Sequence, residues 1–247
     1  MDRRLVGGYR EMRLQVIAVF LVALLARAFS GASAFAQDYR KIFEKEWIEA
    51  ERYVAGQREV WDVIFPEFGI RTKLAVAVIF PELVRYSALR DYMETAAVKA
   101  LYLQKGVKGA DFSIGRFQMK PSFAEDMERA WMRTEWSHEY EIYFDLSETL
   151  EARRSRILRL DDRNWQCIYL AIFLRLLYRR FPRLREEEDI EQVRFCATAY
   201  NASYYGTYED IRRKSARRFY YTDFIPTKDT KRYAYSGIAV CFYKEVL

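Results

Sequence analysis

The stretch Trp165-Gln166-Cys167-Ile168-Tyr169-Leu170-Ala171-Ile172-Phe173-Leu174-Arg175-Leu176-Leu177-Tyr178-Arg179-Arg180 is apolar on several sides at once and holds neither Gly nor Pro. A surface helix shows a single apolar stripe, whereas a segment of this length that is apolar nearly all round belongs to a helix in the middle of a domain. Neighbouring segments repeat the helical pattern. Between residues 38 and 57, Ile42, Phe43, Trp47, Ile48 and Tyr53 recur at spacings that suit one helix face, with Lys and Glu between them. Residues 83–104, 121–133 and 187–203 read the same way, and Leu89, Met93, Ala97, Leu101 and Tyr102 predict a helix over 88–104. Only 10 Gly and 5 Pro are spread over 247 residues, too few turn signals for a many-stranded sandwich or barrel. The expected fold class is all-α.

The composition, 51% hydrophobic and 17% aromatic, can bury a substantial core and excludes a disordered chain. The first residues differ from the rest. Arg3, Arg4, Arg10 and Arg13 precede an apolar run from Leu14 to Leu25, too short to span a bilayer comfortably, and Ala34-Phe35-Ala36 stands before Gln37. A basic start, a short apolar run and a small-residue triplet predict a secretory signal peptide over 1–36, with an uncleaved anchor as the rival reading and the only route to a membrane. Either way the remainder is expected in the periplasm or another extracytoplasmic space. Five arginines against Asp2 and Glu11 give this leader +3 of the formal +6, so the rest is only mildly basic and no nucleic-acid partner is expected. The three cysteines, Cys167, Cys196 and Cys241, lack metal-ligand spacing, and Cys167 and Cys196 sit in apolar helical contexts that suit buried free thiols, with a bridge between them as the minor alternative. The only histidine, His138, has no second ligand nearby. Neither a metal nor a cofactor is expected.

Three further segments carry a motif-level signal. The apolar run Leu74-Ala75-Val76-Ala77-Val78-Ile79-Phe80 ends in Pro81-Glu82-Leu83; the Gly-rich region contains Ser113-Ile114-Gly115-Arg116-Phe117-Gln118-Met119-Lys120-Pro121; and Ala199-Tyr200-Asn201-Ala202-Ser203 closes a helical stretch. In this order and approximate spacing they resemble the catalytic core of soluble lytic transglycosylases and goose-type lysozymes. The resemblance covers residues 74–203. It departs from the family pattern in a longer insert between Glu82 and Gly115, in Leu83 where the family has serine, and in Ser203 where it has glycine.

The resemblance implies a lysozyme-like domain over 74–247 with a C-terminal extension, preceded by an N-terminal helical segment over 37–73. It further implies cleavage of the β-1,4 bond between N-acetylmuramic acid and N-acetylglucosamine, with peptidoglycan glycan strands as the partner and an envelope complex as a further setting. Glu82 would be the catalytic acid and then base, while Gln118, Tyr200, Asn201, Ser113, Gly115 and Met119 would bind substrate. Tyr200 would orient the glutamate.

The chemistry requires one carboxyl still protonated near neutral pH, which burial among Ile79, Phe80, Leu83 and Val84 can supply. Against this, proline disfavours a helical Phe80, so the run is expected to end or kink there and Glu82 to start a new helix, where the helix dipole favours the carboxylate. A hydrolytic muramidase would need a second carboxylate to activate water. Asp111 is the best placed, with Glu94 behind it. The third reading is a catalytically silent glycan-binding or scaffold protein. Aromatics of the tail, Tyr204, Tyr205, Tyr208, Tyr220, Tyr221 and Phe224, offer stacking surfaces for sugar rings.

The leader reading predicts that protein recovered from the envelope begins near Gln37. N-terminal sequencing checks it, and a terminus still carrying residues 14–25 would establish an anchor instead.

Overall fold

Two caps set the ends of the longest buried helix. Asp162 accepts hydrogen bonds from the Asn164 and Trp165 amides, each at 2.9 Å, and Arg179 and Arg180 occupy the last turn, where the helix dipole favours cations. The helix between them, Arg163–Arg180, has Cys167, Leu170, Ile172, Phe173, Leu174 and Leu177 fully buried, as its all-round apolar pattern predicts. The computed structural model describes residues 37–89, 96–223 and 226–245, so the expected leader and Phe224 lie outside the described residues.

Within the unit Tyr39–Leu247 the helices are α1 (Tyr39–Glu67), α2 (Thr72–Leu89), α3 (Ala96–Lys105), α4 (Pro121–Trp131), α5 (Trp136–Glu139), α6 (Leu150–Asp161), α7 (Arg163–Arg180), α8 (Asp189–Thr198), α9 (Tyr208–Lys214) and α10 (Tyr235–Glu245). Among the described residues there is no strand, only the isolated bridges Ile114 to Met119 and Tyr220 to Tyr233. The fold is all-α. None of the described helices is long and apolar enough to cross a membrane.

Several boundaries differ from the sequence expectations. Helix α1 runs ten residues further than the apolar pattern predicts, because Trp61 and Phe65 continue the buried face, and it leaves helical geometry only at Glu44. It stops where Gly69 adopts φ +66° and the Ile70 amide closes on the Phe65 carbonyl. The expected break at Phe80 is absent: α2 continues through Pro81 to Leu89. Proline removes the amide that the Ala77 carbonyl would otherwise accept, which costs an exposed helix about 3 kcal/mol. Here α2 packs against α1, α7, α8 and α10, and residues 74–84 are all buried. Phe80 stacks on Phe242 of α10 at 3.8 Å and meets Trp47 of α1 edge-on at 4.7 Å. Tertiary packing therefore overrides the local preference. The helix expected over 88–104 is helical to Leu89 and from Ala96 onward, while residues 90–95 lie outside the described set.

The second half of the core is tied by a buried charge cluster. Glu128 of α4 is fully buried and bonds Arg156 at 2.6 Å and Arg159 at 3.0 Å, both from α6, and it also accepts from the Tyr169 hydroxyl of α7. Arg156 reaches Tyr102 of α3 at 2.7 Å, and that hydroxyl donates to Glu125 at 2.9 Å. Cys167 and Cys196 are free and buried, and burial pushes each thiol up to about 12, so they act as packing groups.

Removing Glu128 leaves Arg159 without its carboxylate and Arg156 with Glu125 alone, at 3.3 Å. Glu128→Ala is expected to destabilise the protein by roughly 3–5 kcal/mol, read from the urea midpoint. A loss under about 1 kcal/mol would show that Glu125 or solvent satisfies the two arginines without Glu128.

Candidate functional site

Pro81 and Glu82 lie more than two turns inside α2, at the point where the helix meets a cleft of about 350 Å³. Glu82 is therefore not a helix-start carboxylate, and the dipole argument for a charged form falls away. The residue is only 5% exposed, and its Oε2 has no hydrogen-bond partner among the described residues. Burial pushes the carboxyl up to about 7, with the Arg85 charge pulling the other way. A carboxylic acid titrating there can both give and take a proton near neutral pH.

The facing wall is the turn between Ile114 and Met119, whose backbones exchange hydrogen bonds of 2.8 and 3.1 Å. Gly115 takes φ +67° and Gln118 φ 54°. A Cβ on Gly115 would lie 2.1 Å from the Gln166 side-chain nitrogen, so glycine is required both by conformation and by space. Gln166, from α7, holds the turn from behind: it accepts the Phe117 amide at 2.9 Å and donates to the Leu160 carbonyl at 2.9 Å. Gln118 donates its amide to the Gly115 carbonyl at 2.7 Å while facing the cleft.

After α8 the chain widens into a π-helical turn, Ala199–Ser203. Such turns re-aim side chains and occur often at functional sites. This one presents Tyr200 and Asn201 to the cleft. The Tyr200 hydroxyl donates to the Phe117 carbonyl at 2.6 Å, joining the π turn to the Gly115 turn rather than bonding the glutamate. Tyr200 and Glu82 line the same cleft, and burial and then the Glu82 charge raise the tyrosine pKa well above its usual value. Tyr200 thus acts on Glu82 as a wall and not as a hydrogen-bonding partner.

Of the residues singled out by sequence, Glu82, Ser113, Gln118, Met119, Tyr200 and Asn201 line one cleft; Gly115 does not line it but shapes the turn that carries Gln118 and Met119. Asp111 does not. It caps α4, accepting the Ser122 amide at 3.0 Å and the Ser122 hydroxyl at 2.8 Å, with Lys120 at 3.9 Å. Glu94 lies outside the described residues. Tyr220 and Tyr221 join the cleft, but Tyr204, Tyr205 and Tyr208 do not line it. The Tyr220 hydroxyl donates to the Pro81 carbonyl, anchoring the tail beside Glu82.

Arg85, Phe123 and Phe219 also line the cleft and were not anticipated. Arg85 had a signal: it stands three residues after Glu82, hence on the same helix face. Among the described residues no group of three or more His, Cys, Asp or Glu is arranged to hold a metal ion. Comparison with family models, with curated proteins and with solved structures found no match.

The raised Glu82 pKa has a consequence for stability. The folded state keeps its proton up to about pH 7 while the unfolded chain releases it near 4.5, so between these values the native protein binds more protons and loses stability as pH rises. Glu82→Gln should remove that loss, which amounts to something on the order of 3 kcal/mol across the interval. Chemical denaturation of both proteins from pH 4.5 to 8 checks it, and parallel pH profiles would show that the carboxyl is not held in its acid form.

Proposed function

We propose that this chain is an extracytoplasmic peptidoglycan lytic transglycosylase of lysozyme-like fold, with Glu82 as its single acid and base. The observation that carries the reading is that Glu82 is the only carboxylate lining the cleft among the described residues, and that it is buried with its pKa raised to about 7. The order of the Glu82, Gly115 and Tyr200 segments supports it as well, since all three meet at one cleft. The leader pattern of residues 1–36 supports the location.

In this mechanism the protonated Glu82 gives its proton to the glycosidic oxygen as the C1–O bond breaks and the sugar takes on oxocarbenium character. The resulting carboxylate then takes the proton of the same sugar's 6-hydroxyl as O6 bonds to C1, leaving a 1,6-anhydro end. No second carboxylate is needed. A hydrolytic muramidase would require a base for water, and Asp111 is occupied at the start of α4 instead.

Glu82→Gln keeps the size of the side chain but cannot deliver a proton, so cleavage should fall by about 10²–10⁴-fold while the fold persists. Asp111→Asn should change activity little. Purified sacculi are digested with wild type and both variants, and anhydro and reducing muropeptides are separated by mass. Full activity in the Glu82 variant would overturn the assignment. Reducing products would favour hydrolysis, and a folded wild type without activity would favour a glycan-binding scaffold.

A further inference from the structure

Arg85 is the cleft residue that the one-carboxylate mechanism leaves unused. It projects from α2 one turn beyond Glu82, is half-buried, and forms no ion pair with any described residue. Its Nε is buried and has no hydrogen-bond partner. The guanidinium lies 5.2 Å from the centre of the Tyr221 ring and 5.9 Å from that of Tyr220, both of which line the same cleft. Stacking of this kind engages the flat face of the guanidinium and leaves its N–H donors, which lie in its plane, free for an acceptor.

A buried donor without a partner is costly, and a desolvated cation without a counter-charge more so. The cleft holds a second cation, Lys120, which has Asp111 at 3.9 Å, and one carboxylate, Glu82. Of the two cleft cations, Arg85 is therefore the one without an ion-pair partner among the described residues. A planar donor fork that has no ion pair of its own matches a carboxylate, which can accept two parallel hydrogen bonds from it.

We propose that Arg85 recognises a carboxylate carried by the glycan, beside the bond that Glu82 cleaves. The inference rests on the glycan-cleaving reading and adds its specificity: the cleft selects carboxylate-bearing strands over neutral N-acetylglucosamine polymers. Two sources share this chemistry, the lactyl carboxylate of peptide-free muramic acid and the carboxylates of an attached peptide stem.

The test uses the Glu82→Gln protein, which binds without cleaving, and measures Kd by calorimetry for three oligosaccharides of equal length. These are a neutral N-acetylglucosamine oligomer, a peptide-free glycan with lactyl carboxylates, and a glycan with peptide stems. At least one acidic glycan should bind about tenfold tighter than the neutral oligomer, the scale of a charge-assisted hydrogen-bonded pair, and which one does so identifies the source. Adding Arg85→Met should bring the ratio of the two Kd values close to one. Arg85→Lys, which keeps the charge but loses the fork, should retain a reduced ratio. Equal binding of neutral and acidic oligomers by the Glu82→Gln protein, or a ratio that survives Arg85→Met, overturns the assignment of Arg85 and leaves the glycan reading standing. Binding of none of the three overturns both.

Discussion

A carboxylic acid held dry beside an open cleft is the constraint around which this molecule is arranged. Raising a glutamate from 4.5 to about 7 means that its charged form is penalised by something on the order of 3 kcal/mol. A flexible or hydrated support would let water in and the shift would vanish. The backbone at Glu82 is therefore fixed from several directions. Phe80 is stacked on Phe242 and meets Trp47 edge-on, the Pro81 carbonyl accepts the Tyr220 hydroxyl, and α2 is buried by helices on several sides. Pro81 itself is tolerated because this packing outweighs one missing helical hydrogen bond.

The opposite wall is fixed by different means, since it is a turn and not a helix. Its shape depends on Gly115 accepting both a positive φ and the close approach of Gln166, and on the Tyr200 hydroxyl closing on the Phe117 carbonyl. The π-helical turn supplies that tyrosine. An α-helical continuation of α8 would rotate the side chains after Ala199 away from their observed directions. The π turn and the Gly115 turn are therefore joined by a hydrogen bond between phenol and backbone carbonyl, which occupies the Tyr200 hydroxyl away from Glu82.

Much of this was legible in the chain. The all-round apolar character of residues 165–180 led directly to a central helix, and helical periodicity located most of the others because amphipathic burial is a local signal. Six residues marked by motif order meet at one cleft. What was misread depended on long-range packing. Pro81 signalled a stop that neighbours on several sides override, and α1 continued because Trp61 and Phe65 found core partners that no local pattern reveals. Asp111 looked like a cleft carboxylate from its place in the Gly-rich region, yet its acceptors were claimed by the nearest unpaired helix amide, at Ser122. Gln166 appeared as one polar residue in an apolar helix. Only the fold shows that its two hydrogen bonds hold the turn.

The joint presence of Glu82 and Arg85 raises a question of balance that bears on how such a cleft can work. A guanidinium next to a carboxyl normally draws it into the charged form, defeating its use as an acid. Burial outweighs that pull here, and no ion pair forms between them, so the acid is preserved while the cation stays available. In the proposed mechanism the arrangement separates two tasks that a salt bridge would merge: Glu82 would handle the proton and Arg85 the fixed negative charge. Because Arg85 leans on Tyr220 and Tyr221, its position depends on the segment after α9, outside the part of the chain in which the motif residues occur. The tail thus supports the α2 wall twice, by anchoring the backbone at Pro81 and by seating the guanidinium one helical turn away.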